Sequence, residues 1–201
     1  KLNTQLIALL KANIGFPLTW DLAADICLEA GRIETLVSPS DIDRTQPGIY
    51  GGMVLARERM EDIVEEMKLL HQAHWNETEM HRHGLALNPE YDAFIRYERA
   101  GRYVLFTLRN DGRLQGNCAL YLDKNTHTQT LIATEDTLYL LPEARKGLAA
   151  KRFIAYCEHS LKSLGVKEIN VSVKTVNKAG RFFGMLGYRH VENGLSKILE
   201  G

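Results

Sequence analysis

LPEARKGLAAKRFI, residues 141–154, begins as a turn and ends as a helix. Pro142 and Gly147 belong to loops, whereas from Leu148 onward the apolar spacing predicts a helix. Four cationic side chains, Arg145, Lys146, Lys151 and Arg152, crowd the junction. A glycine turn that feeds a helix N-terminus presents backbone amides without intrahelical partners, at the positive end of the helix dipole. Gly147 lets the backbone approach a bulky anion, and successive amides can form a nest. Arg145, Lys146 and Lys151 supply full charges. A pyrophosphate is the natural guest. The stretch is not a P-loop, because GxxxxGK[ST] is missing, nor a dinucleotide fingerprint, because GxGxxG is missing. On this stretch alone, a glycine turn before an amphipathic helix with solvated basic residues fits equally well.

The rest of the chain narrows the choice. Its 201 residues suit one domain with an appendage, and the 25 Lys and Arg balance the 25 Asp and Glu. Zero net charge disfavours nucleic acid and anionic membrane as partners. No apolar run is long enough to cross a bilayer, and no secretory segment opens the chain. Cys27, Cys118 and Cys157 are scattered and form no CxxC, which predicts reduced core thiols and a cytoplasmic protein.

Residues 1–36 carry two helical patterns, the second capped by Thr19 and stopped by Gly31. SPSDIDRTQPG (38–48) reads as a linker. We therefore expect an N-terminal helical arm and linker over 1–48 and a main domain over 49–201. That domain opens with a strand at MVLA, then a long helix carrying Met60, Ile63, Val64, Met67 and Leu70 at helical spacing. Asn88 and Pro89 cap and start a second helix, closed by Gly101. YVLFTLR and LQGNCALYL flank Asn110-Asp111-Gly112, a hairpin signal. A strand over about 129–141 leads into the opening stretch, and its helix runs to Gly165. EINVSV alternates as a strand with Ile169, Val171 and Val173 on one face. A short helix over 177–186, a Gly187-Tyr188 turn and a strand near 195–199 finish the chain.

At LYLLPEARKGLAAKRFI the sequence resembles the GNAT family of acetyl-CoA-dependent N-acetyltransferases, whose strand runs into a Pro-x-x-Arg turn and a glycine-rich loop. The family pattern Q/R-x-x-G-x-G/A is altered here to Arg145-Lys146-Gly147-Leu148-Ala149-Ala150. EINVSVK, Asn177 and FFGMLGY are similar to the family's N-x-x-A…Y-x-K-x-G-F tail, with Tyr188 ending it. HWNETE, ATEDTLYL and LPEARKG look most like members encoded by bacteriophages and prophages. The resemblance covers about 49–201. It implies an α/β (α+β) fold with a mixed, mostly antiparallel sheet flanked by helices, its strands splayed around acetyl-CoA as cosubstrate. It also implies acetyl transfer to a small-molecule or protein amine by direct attack in a ternary complex. A non-catalytic acyl-CoA-binding and protein-interaction module of the same fold is the alternative. The cofactor residues it implies are the backbone of Tyr139, Leu140 and Leu141 along the pantetheine arm, the amides of Arg145, Lys146, Gly147, Leu148, Ala149 and Ala150 with Lys151 at the pyrophosphate, and Asn177. Phe183 stands where relatives place a tyrosine that protonates the leaving thiolate.

Amine acetylation needs a base. Relatives place a carboxylate near the start of this strand, where Glu135 and Asp136 fall; alternation lets only one face the cleft. The other candidate is Glu77, beside Trp75, whose pKa would rise if it were partly buried. His74, Glu77 and His81 share a helical face at i, i+3 and i+7, but no further ligand spacing supports a metal, and none is expected. Homodimerisation through the arm is open at this stage.

Overall fold

The computed structural model describes residues 4–30, 35–78, 86–175, 177–195 and 197. Two helices, α1 (Thr4–Ala12) and α2 (Trp20–Ala30), pack on each other. The Thr19 hydroxyl caps α2 by accepting the Leu22 amide at 3.2 Å. A short helix α3 (Pro39–Asp43) and the hairpin β1 (Gly48–Tyr50) and β2 (Met53–Arg57) follow. Helices α4 (Met60–Thr78) and α5 (Tyr91–Arg99) precede the meander β3 (Tyr103–Asn110), β4 (Arg113–Lys124) and β5 (Leu131–Leu140). A 3-10 turn (Pro142–Arg145) leads into α6 (Ala149–Ser163), β6 (Glu168–Asn170) and α7 (Ala179–Met185). The sheet order is β1-β2-β3-β4-β5-β6, antiparallel except for the parallel pair β5 and β6.

The apolar run YVLFTLR shows why both faces of this sheet are covered. Val104, Phe106 and Leu108 point to one face and join Cys118, Leu120, Leu122, Phe153, Cys157 and Leu161 in the core beneath α6. Tyr103 and Leu105 point to the other and meet Ala119, Tyr139 and the α4 residues Met60, Ile63, Met67 and Leu70. Period two on a strand, meeting period 3.6 on each helix, produces two apolar layers from one sheet. The Asp111-Gly112 turn has both φ positive, 48° and 75°, as a two-residue hairpin of this twist requires.

Several expectations need correcting. The stretch read as a linker is part of the main core: Ile42 is fully buried against the α6-side cluster. Just before it, the Leu36 amide donates to the Ala100 carbonyl at 3.0 Å and the Val37 amide to the Gly101 carbonyl at 3.2 Å. A Cβ at Gly101 would stand 1.7 Å from the Val37 carbonyl oxygen, so only glycine fits. Pro and Asp concealed one core isoleucine. β1 was not anticipated, since three residues are too few to show alternation. The second helix starts at Tyr91 rather than at Asn88 and Pro89. β6 ends at Asn170, so Val171 and Val173 lie beyond the strand. Leu195 and Lys197 carry no strand, while the other residues expected there, and Gly31, lie outside the described residues. Cys118 and Cys157 are buried free thiols, but Cys27 is exposed. No described helix is long and apolar enough to cross a membrane.

If Ile42 is a core residue rather than part of a tether, Ile42→Ala should lower unfolding free energy by about 2–5 kcal/mol in urea titrations. A tether residue would give a change within about 0.5 kcal/mol, and that result would return 38–48 to a linker.

Candidate active site

The parallel ladder between β5 and β6 is short: Ile132, Ala133 and Thr134 pair with Glu168, Ile169 and Asn170, and there it stops. β5 continues to Leu140 with its far side paired to β4. Among the described residues its near edge is therefore open from Glu135 onward. Pairing with β4 skips from Ala119–Thr137 to Leu120–Glu135, which leaves Asp136 as the extra residue of a bulge.

As alternation requires, Glu135 and Asp136 face opposite sides of the sheet. Glu135 lines a small apolar cavity with Cys118, Leu138, Cys157, Phe183 and Tyr188. Its Oε2 accepts the Ser172 amide at 3.2 Å. It thus braces the two strands where they part, and burial raises its pKa. Asp136 faces the α4 and α5 side, where Tyr103 donates its hydroxyl to Oδ2 at 2.9 Å. Burial raises the Asp136 pKa as well, against that hydrogen bond.

Glu77, the third candidate, is held differently. Arg145 donates Nη1 to Oε1 at 2.8 Å and Nη2 to Oε2 at 2.7 Å, and Tyr139 adds its hydroxyl to Oε2 at 2.9 Å. The guanidinium also donates Nε to the Leu140 carbonyl at 2.7 Å and lies 5.1 Å from the Tyr139 ring centroid. The Arg145 hydrogen bond lowers the Glu77 pKa, opposite to the rise expected beside Trp75. A carboxylate so held is a poor base and a good clasp, fixing the end of α4 to the turn after β5.

At the turn itself, Gly147 has φ +62°, and a Cβ there would meet nothing within 4 Å. No side chain caps α6; the Ala149 amide turns back to the Lys146 carbonyl at 3.4 Å, and the amides after it lie at the dipole's positive end. The four cations divide. Arg145 is on Glu77, and Arg152 sits 5.5 Å from the Tyr50 ring centroid. Lys146 and Lys151 are exposed beside the open amides. The backbone expectation is also adjusted. The Leu141 amide donates to the Gln115 carbonyl, so alternation turns Tyr139 and Leu141 toward β4 and leaves Leu138 and Leu140 on the open edge. Leu138 was missed, because only register reveals it. Asn177 uses its Oδ1 to accept the Ala179 amide at 2.9 Å, starting α7. Phe183 is buried, with its centroid 4.9 Å from that of Tyr188. His74 stacks on Tyr139 at 5.0 Å, whereas His81 lies outside the described residues. Among the described residues no group of three His, Cys, Asp or Glu side chains could hold a metal.

No protein-family model matches the chain, and no curated protein matches it. Solved structures do. An aminoglycoside acetyltransferase from an uncultured soil metagenomic sample is 14% identical, with TM-score 0.60, over 74% of this chain and 99% of that one. A ribosomal-protein-alanine N-acetyltransferase from Brucella melitensis biovar Abortus is 17% identical, with TM-score 0.55, over 74% and 99%. The aminoglycoside enzyme AAC(6')-Iy, solved with a bisubstrate analogue joining CoA to monomethyl-acetylneamine, is 15% identical, with TM-score 0.56, over 74% and 99%. This chain has the acetyltransferase fold. At such identities the likeness carries the fold alone. It agrees with the mixed, mostly antiparallel sheet expected from the sequence.

The clasp is testable by itself. Arg145→Ala should bring the Glu77 pKa up toward the ordinary value of about 4.3, read as a shift of its carboxyl carbon titration in NMR. An unchanged titration would mean that the guanidinium does not hold Glu77 in solution.

Proposed function

We propose that the protein is an acetyl-CoA-dependent N-acetyltransferase that acetylates an amine by direct attack in a ternary complex. The observation that carries this reading is the parting of β5 and β6 directly upstream of an uncapped, glycine-led helix N-terminus. An open strand edge can pair with an extended chain of amides, as pantetheine is, and an open helix start suits a pyrophosphate. The residues fit the cosubstrate: Leu138 and Leu140 offer backbone groups along the edge, Gly147 leaves room, and Lys146 and Lys151 supply charge. The Leu140 carbonyl is already engaged by Arg145, so that side chain must yield for pairing.

Acetyl-CoA supplies an activated acyl carbon and a thiol leaving group. The chain supplies the base. Asp136 is at the bulge, with one oxygen on Tyr103, and its raised pKa brings it nearer to the proton it must take. It removes one ammonium proton; the freed nitrogen pair forms the C–N bond as the C–S bond breaks onto sulfur. The amine's second proton neutralises the sulfur, and Asp136 returns the first to solvent. Glu135 braces the strands and Glu77 clasps the loop, so neither is the base in this reading. Residues before about 36 form an appendage to the catalytic unit. A cytoplasmic setting and a phage or prophage origin are part of the same proposal, resting on the thiols and on the quoted stretches. A module that binds acyl-CoA without catalysis would bind the cosubstrate yet release no thiol with any amine.

Gly147→Trp should abolish acetyl-CoA binding in calorimetry while the protein stays folded by circular dichroism, because the side chain enters open space on a φ that suits glycine. Unchanged affinity would displace the pyrophosphate from this turn.

Asp136→Asn should lower kcat about 100- to 10,000-fold at neutral pH, with partial recovery where the amine deprotonates itself. In the wild type, a raised Asp136 pKa puts the acidic limb of the kcat/KM profile above the ordinary carboxylate range. Asp136→Asn should erase that limb, and Glu135→Gln and Glu77→Gln should keep it. A limb that survives in Asp136→Asn and vanishes in either of the others would reassign the base.

A further inference from the structure

Asp136 stands at the end of a wall of rings. Phe94 from α5 stacks on Tyr103, centroids 5.2 Å apart and planes at 18°. Tyr103 meets Tyr121 of β4 at 5.0 Å, and Tyr121 meets Tyr97 of α5 edge-on at 5.8 Å. Burial falls along the row: Tyr103 is fully buried under the carboxylate, Tyr121 is half-buried, and Tyr97 is 37% exposed. The wall therefore runs from solvent to Asp136.

The other charges around it are matched. Asp123, two residues beyond Tyr121 on the same strand, pairs with Arg102 at 3.4 Å. Glu98, behind Tyr103, accepts Arg57 Nη2 at 3.2 Å and the Met60 amide at 2.9 Å. Glu135 faces away, on the Ser172 amide. Asp136, whose recorded partner is the neutral Tyr103 hydroxyl, is the carboxylate of this wall with no cation on it among the described residues.

We propose that Tyr97 and Tyr121 with Asp136 form the acceptor subsite, with Tyr103 holding the carboxylate from beneath, and that it takes a single primary ammonium group carried on an apolar or aromatic body. The inference rests on the acetyltransferase reading. One unmatched carboxylate neutralises one ammonium, and ring faces attract the same charge within about 6 Å of a centroid. The outer rings, Tyr121 and Tyr97, offer apolar area to the body behind the nitrogen. A second ammonium two residues along β4 would meet Asp123, already paired with the Arg102 guanidinium. A polycation is therefore disfavoured, and an arylalkylamine is favoured.

The test uses the full chain, saturating acetyl-CoA and thiol-release detection, with phenethylamine, spermine and an alanyl peptide as acceptors. Phenethylamine should show the highest kcat/KM. Tyr121→Leu should raise its KM about 3- to 30-fold with kcat little changed, and Tyr121→Phe, which keeps the ring, should restore most of that loss. Acetyl-CoA affinity by calorimetry should stay the same in both variants, which separates a lost ring from a damaged fold. Spermine or the peptide outrunning phenethylamine would overturn the substrate class, and an unchanged KM in Tyr121→Leu would overturn the subsite. A wild type that fails to bind acetyl-CoA would instead remove the acetyltransferase reading, and the subsite with it.

Discussion

Parallel pairing between β5 and β6 lasts three residues, and the arrangement of the site depends on its ending there. Backbone groups that lose a strand partner inside a protein must find another. Glu135 provides one, accepting the Ser172 amide with its carboxylate. The neighbouring bulge at Asp136 adds local twist to β5, and alternation sets Asp136 on the opposite face from Glu135. Two neighbouring acids thus brace the parted strands on one face and leave one carboxylate on the other, the side proposed for the acceptor. The regular ladder with β4 keeps the open strand in place.

Charge around the cleft is arranged for position more than for stability. The Arg145–Glu77 pair is about 40% exposed on each side, and exposed pairs contribute only about 0–1 kcal/mol. Its bidentate fork, with the bond to the Leu140 carbonyl, instead fixes where the end of α4 lies relative to the anion turn. That clasp and the cation–π contact of Arg152 with Tyr50 leave the lysines as the cations nearest the open amides. Lysine is a flexible point charge, suited to an anion that must enter and leave.

The parts of this fold that obey a period were legible in the sequence. Asp111-Gly112, the doubly apolar β3, and the α4 and α6 faces follow from spacing alone, because burial repeats every two or 3.6 residues. What escaped was aperiodic. Ile42 is one buried side chain in a stretch of prolines and aspartates, and nothing local distinguishes it from an isoleucine in a tether. The bulge escaped because alternation presumes an unbroken ladder, and an inserted residue leaves no trace in composition. Three carboxylates were in view as bases, yet their division into base, brace and clasp depends on contacts with residues 33 to 68 positions away. The sequence singles out neither Tyr103 nor Tyr121, and only the fold brings their rings together next to the Tyr103–Asp136 hydrogen bond.

The absence of a hydroxyl at Phe183 follows the same division of labour. Tyr139 donates its hydroxyl to Glu77, and Tyr188 packs against Phe183 in the small apolar cavity. A thiol with a pKa near the cysteine value of about 8.5 leaves tolerably well without an acid, whereas a primary ammonium with a pKa near that of lysine, about 10.4, does not attack until a base has taken its proton. The harder proton problem therefore lies on the amine side of the sheet. In the proposed reading the chain places there a buried carboxylate of raised pKa, one hydroxyl to orient it, and outer rings to meet the amine. On the thiol side it keeps a phenylalanine, which fills space beneath the parted strands and asks nothing of the proton balance.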